Sequence, residues 1–158
     1  MKISVIIPTF NEENTIIELL RRVKKQSDEG LNLEVIVVDD GSTDNSKKLI
    51  TENPDLYNKV ILLNKNLGKG GAVREGLLNA TGEYILFQDA DLEYNPKDYK
   101  KIFNILHEHK ADVVIGSRFL SPEYTRVHYF YHKVGNRFIT FLFNILYNTT
   151  FTDIYSCY

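Results

Sequence analysis

The sequence has little cysteine, no surplus of basic charge and no long apolar run, and each absence excludes a class of protein. Its 158 residues include one cysteine, which excludes an internal disulfide framework and a zinc cluster built from cysteines. Lys and Arg number 19 against 21 Asp and Glu, so the basic surplus typical of nucleic-acid binders is missing. The apolar start ends at Pro8, too early for a secretory signal or a membrane span. We therefore expect no nucleic-acid partner and a reducing, cytosol-facing compartment.

What the sequence does contain is typical of one globular domain. Apolar residues make up 43% and charged residues 25%, with no linker or low-complexity segment between parts. A chain of this length buries roughly 70% of its unfolded surface without needing disulfides. We expect a single domain over 1–158. Because the chain stops at Tyr158 without a polar tail, we also expect it to be the front part of a longer protein.

Short apolar runs alternate with amphipathic segments along most of the chain. The runs are rich in β-branched residues, like buried parallel strands, and cover residues 3–7, 33–38, 60–63, 84–87 and 113–115. Helical spacing predicts helices over 16–23, from a Ser42 or Thr43 cap to Ile50, over 71–80, and over 99–106 behind Asn95 and Pro96. This alternation predicts an α/β sandwich with a mainly parallel central sheet.

The segment 124–147 differs from the rest because it mixes eight aromatic residues with three cations. From Val134 to Tyr147 apolar residues surround most of a helix, interrupted by polar residues that argue against a membrane span. Two interpretations stay open. The helix is either an ordinary core element or one that lies against a membrane.

Polar motifs follow each of the five apolar runs. In open α/β sheets, ligands bind beyond the carboxyl ends of the strands, so five motifs on one rim predict one binding cleft. The most informative is Asp89-Ala90-Asp91, because carboxylates at i and i+2 after a buried strand can turn toward one Mg²⁺ or Mn²⁺ ion. Such a cation would bridge a diphosphate and neutralise its charge as it leaves.

The glycine-rich stretch 68–71 matches neither a Walker loop nor the dinucleotide-binding fingerprint. Lys69 and Gly70 nevertheless precede a predicted helix, where an anionic ligand can approach closely. Arg118 could serve as a diphosphate clamp or simply as a surface charge.

Together the motifs carry a family resemblance. They read VIIPTFNE at 5–12, VVDDGSTD at 37–44, NLGKG at 66–70, DAD at 89–91 and GSR at 116–118. In this order the sequence resembles family 2 of nucleotide-sugar glycosyltransferases, which have the Rossmann-like GT-A fold. The GSRF at 116–119, the basic and aromatic 124–147 segment and TDIYSCY at 152–158 make it most similar to the dolichyl- and polyprenyl-phosphate sugar transferases, the dolichol-phosphate mannosyltransferase type.

The resemblance implies roles for individual residues. Those implied for the nucleotide sugar are Pro8, Thr9, Phe10, Glu12, Asp39, Asp40, Lys69, Gly70, Asp89, Ala90 and Asp91, with Asp40 at the base and Asp39 behind it. The metal would be held by Asp89 and Asp91, with Glu93 as a further ligand. Arg118 would contact phosphate, and the acceptor phosphate would meet Arg126, Lys133 or Arg137. Residues 1–118 would thus bind the donor, and 119–158 would serve the acceptor near a membrane.

The implied reaction is an inverting, metal-dependent transfer from a UDP-sugar, or else GDP-mannose, to a polyprenyl or dolichyl phosphate. A phosphate monoester has a second pKa of about 6 and needs no general base, whereas a sugar hydroxyl needs a carboxylate. The rival is therefore transfer to a saccharide hydroxyl with Asp153 as the base. A non-catalytic, nucleotide-binding membrane scaffold is the alternative of another class. The expected location is the cytoplasmic face of a membrane, either peripheral or anchored by segments beyond 158; an oligomer stays open.

Overall fold

The computed structural model describes residues 1–117 and 130–154 of the chain. The candidate residues Arg118 and Arg126 lie outside these ranges, as do the last four residues of the 152–158 motif. The chain divides into two compact units, Met1–Asn104 and Ile105–Tyr158. This boundary comes earlier in the chain than the division at 118 that the motifs suggest.

The first unit is built on a parallel sheet of four strands, as the alternating pattern predicts. The strands are β1 (Ile3–Thr9), β2 (Leu33–Asp39), β3 (Lys59–Leu62) and β4 (Tyr84–Phe87), in the spatial order β3-β2-β1-β4. Thr9 at the end of β1 pairs with Asp39 at the end of β2, and Ile6 pairs with Phe87 at the end of β4. The carboxyl ends of the three strands therefore meet at one rim.

Five helices accompany the sheet. They are α1 (Ile16–Asp28), α2 (Ser46–Glu52), α3 (Gly68–Asn79), α4 (Tyr99–His109) and α5 (Phe130–Tyr147). The apolar stripe predicted for α1 is buried as expected, from Ile16 through Val23. α3 packs so closely on the sheet that a Cβ on Gly76 would collide with a methyl group of Ile6. Asn95 acts as a cap, but it caps the 3₁₀ turn Pro96–Asp98 that leads into α4, through a 3.1 Å bond from the Lys97 N–H.

The predicted fifth strand, residues 113–115, is wrong. These residues adopt no strand within the described part of the chain, and the side chains of Val113 and Ile115 are exposed. An apolar run of three residues does not specify a strand by itself, because a strand exists only through hydrogen bonds to a neighbour.

The amino-terminal edge of the sheet is tied together by the buried carboxylate of Glu34. It accepts hydrogen bonds from the Ser4 hydroxyl and from both the N–H and hydroxyl of Thr81, at 2.5 to 2.8 Å. The Lys2 ammonium lies 3.0 Å away. Burial alone would raise the pKa of Glu34, but the hydrogen bonds from Ser4, Thr81 and Lys2 outweigh it and hold the pKa far below its ordinary value.

Helix α5, in the second unit, is amphipathic, but its polar side chains are the less exposed ones and many of its large apolar side chains are exposed. Asn136, Thr140 and Asn144 recur at every fourth position and turn toward the segment that follows the helix. The large apolar side chains lie mainly on the exposed remainder, with Leu146 77% and Phe138 60% accessible. Within the described ranges, no helix combines the length and apolar character that crossing a bilayer demands.

Candidate active site

The loops after β1 and β2 are locked to each other by side chains from the first two motifs. Asn11, with a left-handed backbone at φ 56°, accepts a 2.8 Å hydrogen bond from the Thr43 N–H, and its own N–H donates to the Ser42 hydroxyl at 3.0 Å. The sequence predicted that Ser42 or Thr43 caps α2. This prediction is wrong, because both residues bond to Asn11 instead. The helix begins later, at Ser46, because the intervening residues hold the two loops together.

Asp44 fixes the same junction from the other side. Its carboxylate accepts hydrogen bonds from the N–H groups of Glu13, at 3.1 Å, and Ser46, at 2.9 Å. Burial opposes the charge, but hydrogen bonds from Ser46 and Glu13 lower the pKa of Asp44 below its ordinary value. The sequence analysis assigned no role to Asn11 or Asp44. Their short polar side chains beside turn residues were the available signal.

Asp40 connects the β2 loop to the start of α3. Its Oδ1 accepts a 2.8 Å hydrogen bond from the Leu67 N–H, which leaves Oδ2 for a ligand. Gly41 permits this close approach, since it has φ 71° and an added Cβ would lie 2.8 Å from the carbonyl carbon of Lys65. The NLGKG motif is thus held against the VVDDGSTD motif by one carboxylate.

Asp39 lies behind Asp40 and is fully buried. Its Oδ2 accepts a hydrogen bond from the Ser42 N–H at 3.2 Å. Its Oδ1 is also buried, but within the residues the structure describes it has no hydrogen-bond partner. An unsatisfied buried carboxylate oxygen is costly, so Asp39 Oδ1 is a position that still requires a hydrogen-bond donor.

A pocket of about 320 Å³ opens at this rim. Nine of the residues predicted for the nucleotide sugar line it, namely Pro8, Thr9, Phe10, Glu12, Asp40, Lys69, Asp89, Ala90 and Asp91. Asn66, Gly68 and Ala72 complete the lining, so the amino terminus of α3 faces the pocket with its partial positive charge. Gly70 and Asp39, also predicted for the donor, are not part of the lining.

The DAD motif presents its carboxylates into this pocket. Asp89 Oδ1 lies 2.6 Å from the Lys69 ammonium, and Asp91 Oδ1 accepts a 3.0 Å hydrogen bond from the Glu93 N–H. The buried Gln88 anchors the loop, since its amide donates to the Asp89 carbonyl at 2.9 Å and accepts from the Tyr99 hydroxyl at 2.8 Å. Sequence reasoning missed Gln88; the only signal was a polar residue directly after a buried strand.

The carboxylates fit a hard divalent cation. Oxygen ligands are what Mg²⁺ and Mn²⁺ prefer, and the Lys69 ammonium beside Asp89 shows that a cation is favourable there. In the described ranges no three His, Cys, Asp or Glu side chains converge as a ready metal centre, and Glu93 does not line the pocket. A site with two carboxylates leaves coordination positions for diphosphate oxygens and water.

The residues predicted for the acceptor that the structure describes belong to the second unit. Lys133 and Arg137 are exposed on α5. Asp153 is 1% exposed, and its Oδ1 accepts a 3.0 Å hydrogen bond from the Asn136 amide. Asn144 holds the same segment, because its side chain bonds both the N–H and the carbonyl of Phe151, at 3.0 and 2.8 Å. Asp153 therefore fixes the segment after α5 onto the polar stripe of the helix.

Comparison with known proteins bears on this arrangement. Among curated proteins the chain is 36% identical over 135 residues to the dolichol-phosphate mannosyltransferase of Pyrococcus furiosus, covering 85% of this chain and 38% of that protein. The chain spans about two fifths of the length of the curated relatives it matches.

The solved structures that share the fold include the following two. The mannosyltransferase PcManGT from Pyrobaculum calidifontis, in complex with GDP-Man and Mn²⁺, is 30% identical with a TM-score of 0.59, and the match covers 72% of this chain and 34% of that one. S. aureus TarS 1–349, in complex with UDP-GlcNAc, is 32% identical with a TM-score of 0.62, covering 77% of this chain and 39% of that one. They support the GT-A fold implied by the motifs.

The family model described as Glycosyl transferase family 2 matches residues 4–157, nearly the whole chain. The match contains both the pocket on the sheet rim and the segment after α5. The chain is a member of glycosyl transferase family 2.

Proposed function

We propose that this chain binds a nucleotide-diphosphate sugar in the rim pocket and transfers the sugar to a polyprenyl or dolichyl phosphate. The observation that carries the proposal is that Asp40, Lys69, Asp89 and Asp91 all line one pocket of about 320 Å³. It supplies a hydrogen-bond acceptor for a base, a cation and a helix amino terminus for phosphates, and carboxylates for a metal. The mannosyltransferase relative supports the lipid-phosphate acceptor.

Within this proposal, the donor lies with its nucleoside against Pro8, Phe10 and Asp40 and its diphosphate toward Lys69. A divalent metal held by Asp89 and Asp91 would neutralise the charge that develops on the leaving diphosphate. Lys69 and the amino terminus of α3 orient the same phosphates. The nucleotide is proposed to be UDP, with GDP as the alternative, since the similar structures include complexes with both UDP-GlcNAc and GDP-Man.

The proposed reaction is a single displacement. An acceptor phosphate oxygen attacks the anomeric carbon, the bond from that carbon to the nucleoside diphosphate breaks, and the diphosphate leaves with the electron pair. The configuration at carbon inverts. No general base is required, because the acceptor is already an anion at neutral pH. We assign its guidance to Lys133 and Arg137, which are exposed on α5, together with Arg118 and Arg126.

A membrane surface is the proposed location of the acceptor, on the cytoplasmic side. α5 supports it, because the helix has a half-buried polar stripe and exposes large apolar side chains such as Phe138 and Leu146. Large exposed apolar side chains on one helix suit the boundary between lipid headgroups and acyl chains. Phe138→Ser/Leu146→Ser should reduce co-sedimentation with lipid vesicles. The matched control is Leu77→Ser/Leu78→Ser on α3, whose side chains are also exposed.

The test of the function is transfer by the full chain from radiolabelled UDP-glucose or GDP-mannose, in the presence of Mg²⁺ or Mn²⁺. Each donor is offered with a short polyprenyl phosphate and, separately, with simple saccharides. Product on the lipid phosphate supports the proposal. Transfer only to a saccharide hydroxyl favours the rival reaction, in which Asp153 would serve as the base. Donor binding without transfer to either acceptor favours the non-catalytic scaffold.

A further inference from the structure

A second cleft lies on the first unit, beside α1, and shares no lining residue with the rim pocket. It has a volume of about 500 Å³ and is lined by Glu18, Arg21, Arg22, Lys25, Gln26, Asn95 and Lys97. None of these residues lines the rim pocket. The α1 residues project toward the 3₁₀ turn Pro96–Asp98, so two separate elements contribute to one concave surface.

The cleft concentrates positive charge in a chain whose net charge is −2. Four of its lining residues are cations and one, Glu18, is an acid that is already engaged by Arg22 at 2.8 Å. In the described part of the chain, Arg21, Lys25 and Lys97 have no carboxylate within ion-pair distance. Arg21 and Lys25 stand four residues apart on α1, and like charges at that spacing destabilise a helix.

The pKa of the neighbouring Glu29 carboxyl is also lowered by positive charges that line the cleft. A hydrogen bond and the charge of Lys100 lower the pKa of Glu29 most, burial opposes this, and the charges of Lys25 and Lys97 lower it further. Lys25 on α1 and Lys97 on the turn therefore both lie close enough to Glu29 for their charges to affect it. An anion placed between them would be attracted from both sides.

We propose that this cleft binds a phosphorylated anion with at least two negative charges. Arg21 and Arg22 offer planar guanidinium groups that match phosphate oxygens in pairs, and Lys25 and Lys97 add point charges. Unlike the rim pocket, the cleft contains no pair of carboxylates for a metal, so the anion is neutralised by side chains alone. Two sources share this chemistry: a free diphosphate and the headgroup of an anionic phospholipid. The assignment does not depend on the proposed transferase activity.

The free-anion arm uses inorganic pyrophosphate, titrated calorimetrically into the full chain in the presence of a metal chelator. Lys25→Gln/Lys97→Gln is expected to weaken binding about tenfold or more, because two charge-assisted hydrogen bonds are lost. The control Lys47→Gln/Lys48→Gln removes the same charge from α2 and should bind as the wild type does. Lys69→Gln, which removes the rim-pocket cation, should leave this binding component in place.

The lipid arm measures co-sedimentation with vesicles of phosphatidylcholine and phosphatidic acid in equal amounts, against pure phosphatidylcholine, because the phosphatidic acid headgroup is a phosphate monoester with two ionisable oxygens. Loss of binding in the Lys25/Lys97 variant on anionic vesicles alone assigns the site to a headgroup, whereas loss in the pyrophosphate arm alone assigns it to a free anion. If the variant matches the wild type in both arms, or if the Lys47/Lys48 control loses as much, the proposal is overturned. Circular dichroism of each variant establishes that the fold is retained.

Discussion

The ammonium group of Lys69 lies 2.6 Å from Oδ1 of Asp89, so a cation from the glycine-rich motif pairs with the first carboxylate of the DAD motif. The two residues come from different segments of the chain, the start of α3 and the loop after β4. Their pairing keeps one carboxylate of the proposed metal site neutralised. A divalent metal and Lys69 are therefore expected to compete for Asp89.

This competition predicts the effect of Lys69→Met. Metal binding measured in the absence of nucleotide should tighten, by about two- to fivefold, since an exposed ion pair contributes at most about 1 kcal/mol. Binding of the nucleotide sugar should weaken, because a phosphate contact is lost. The control is Arg74→Met on the same helix, which pairs with Glu75 and does not line the pocket. Unchanged or weaker metal binding by the Lys69 variant would contradict the competition.

Asp91→Asn is expected to abolish transfer while leaving the fold intact. The residue is exposed at the pocket, so the loss of one charge removes a metal ligand and little packing. Transfer is measured with the radiolabelled donor, and folding by circular dichroism. Asp98→Asn, an exposed carboxylate paired with Lys101 outside the pocket, serves as the control. If a metal chelator leaves the affinity for the nucleotide sugar unchanged, the assignment of Asp89 and Asp91 to a metal site is wrong.

Asp40 has two separable roles, and two substitutions distinguish them. Asp40→Ala should weaken nucleotide binding by about 1–3 kcal/mol and also lower the melting temperature, because the Leu67 N–H loses its acceptor. Asp40→Asn retains an oxygen for Leu67 and should restore most of the stability, but not the nucleotide affinity that depends on charge. Calorimetry showing wild-type nucleotide affinity in both variants would refute the assignment of Asp40 to the base.

Glu34 predicts how stability depends on pH. Because its pKa in the folded protein is lowered from 4.5, its contribution is fully present above that value and is lost as pH falls toward the folded pKa. Glu34→Gln should therefore destabilise the protein clearly at neutral pH and progressively less below 4.5, as followed by urea denaturation. The control Glu83→Gln changes an exposed carboxylate on the same edge and should change the free energy of unfolding only slightly. A constant large difference for Glu34 would exclude a role for its ionisation.

The sequence by itself determined the alternation of strands and helices and the rim on which four of the five motifs lie. β-Branched runs specify β1 and β2 because buried parallel strands need little more than continuous apolar character. The order of the motifs also determined the family, which the match over residues 4–157 confirms. The strand predicted at residues 113–115 is wrong because it was inferred from apolar character alone, and this run has no strand partner in the described structure.

Only the tertiary structure decided which polar residues line the pocket and which support it. Asn11 and Asp44 belong to the same motifs as Thr9 and Asp40, yet their side chains bond neighbouring loops instead of facing the pocket. The structure likewise revealed that the polar residues of α5 hold the segment up to Asp153, whereas composition had only marked them as interruptions. Hydrogen-bond partners that are distant along the chain leave no periodic signal in sequence, because they depend on how the backbone brings loops together.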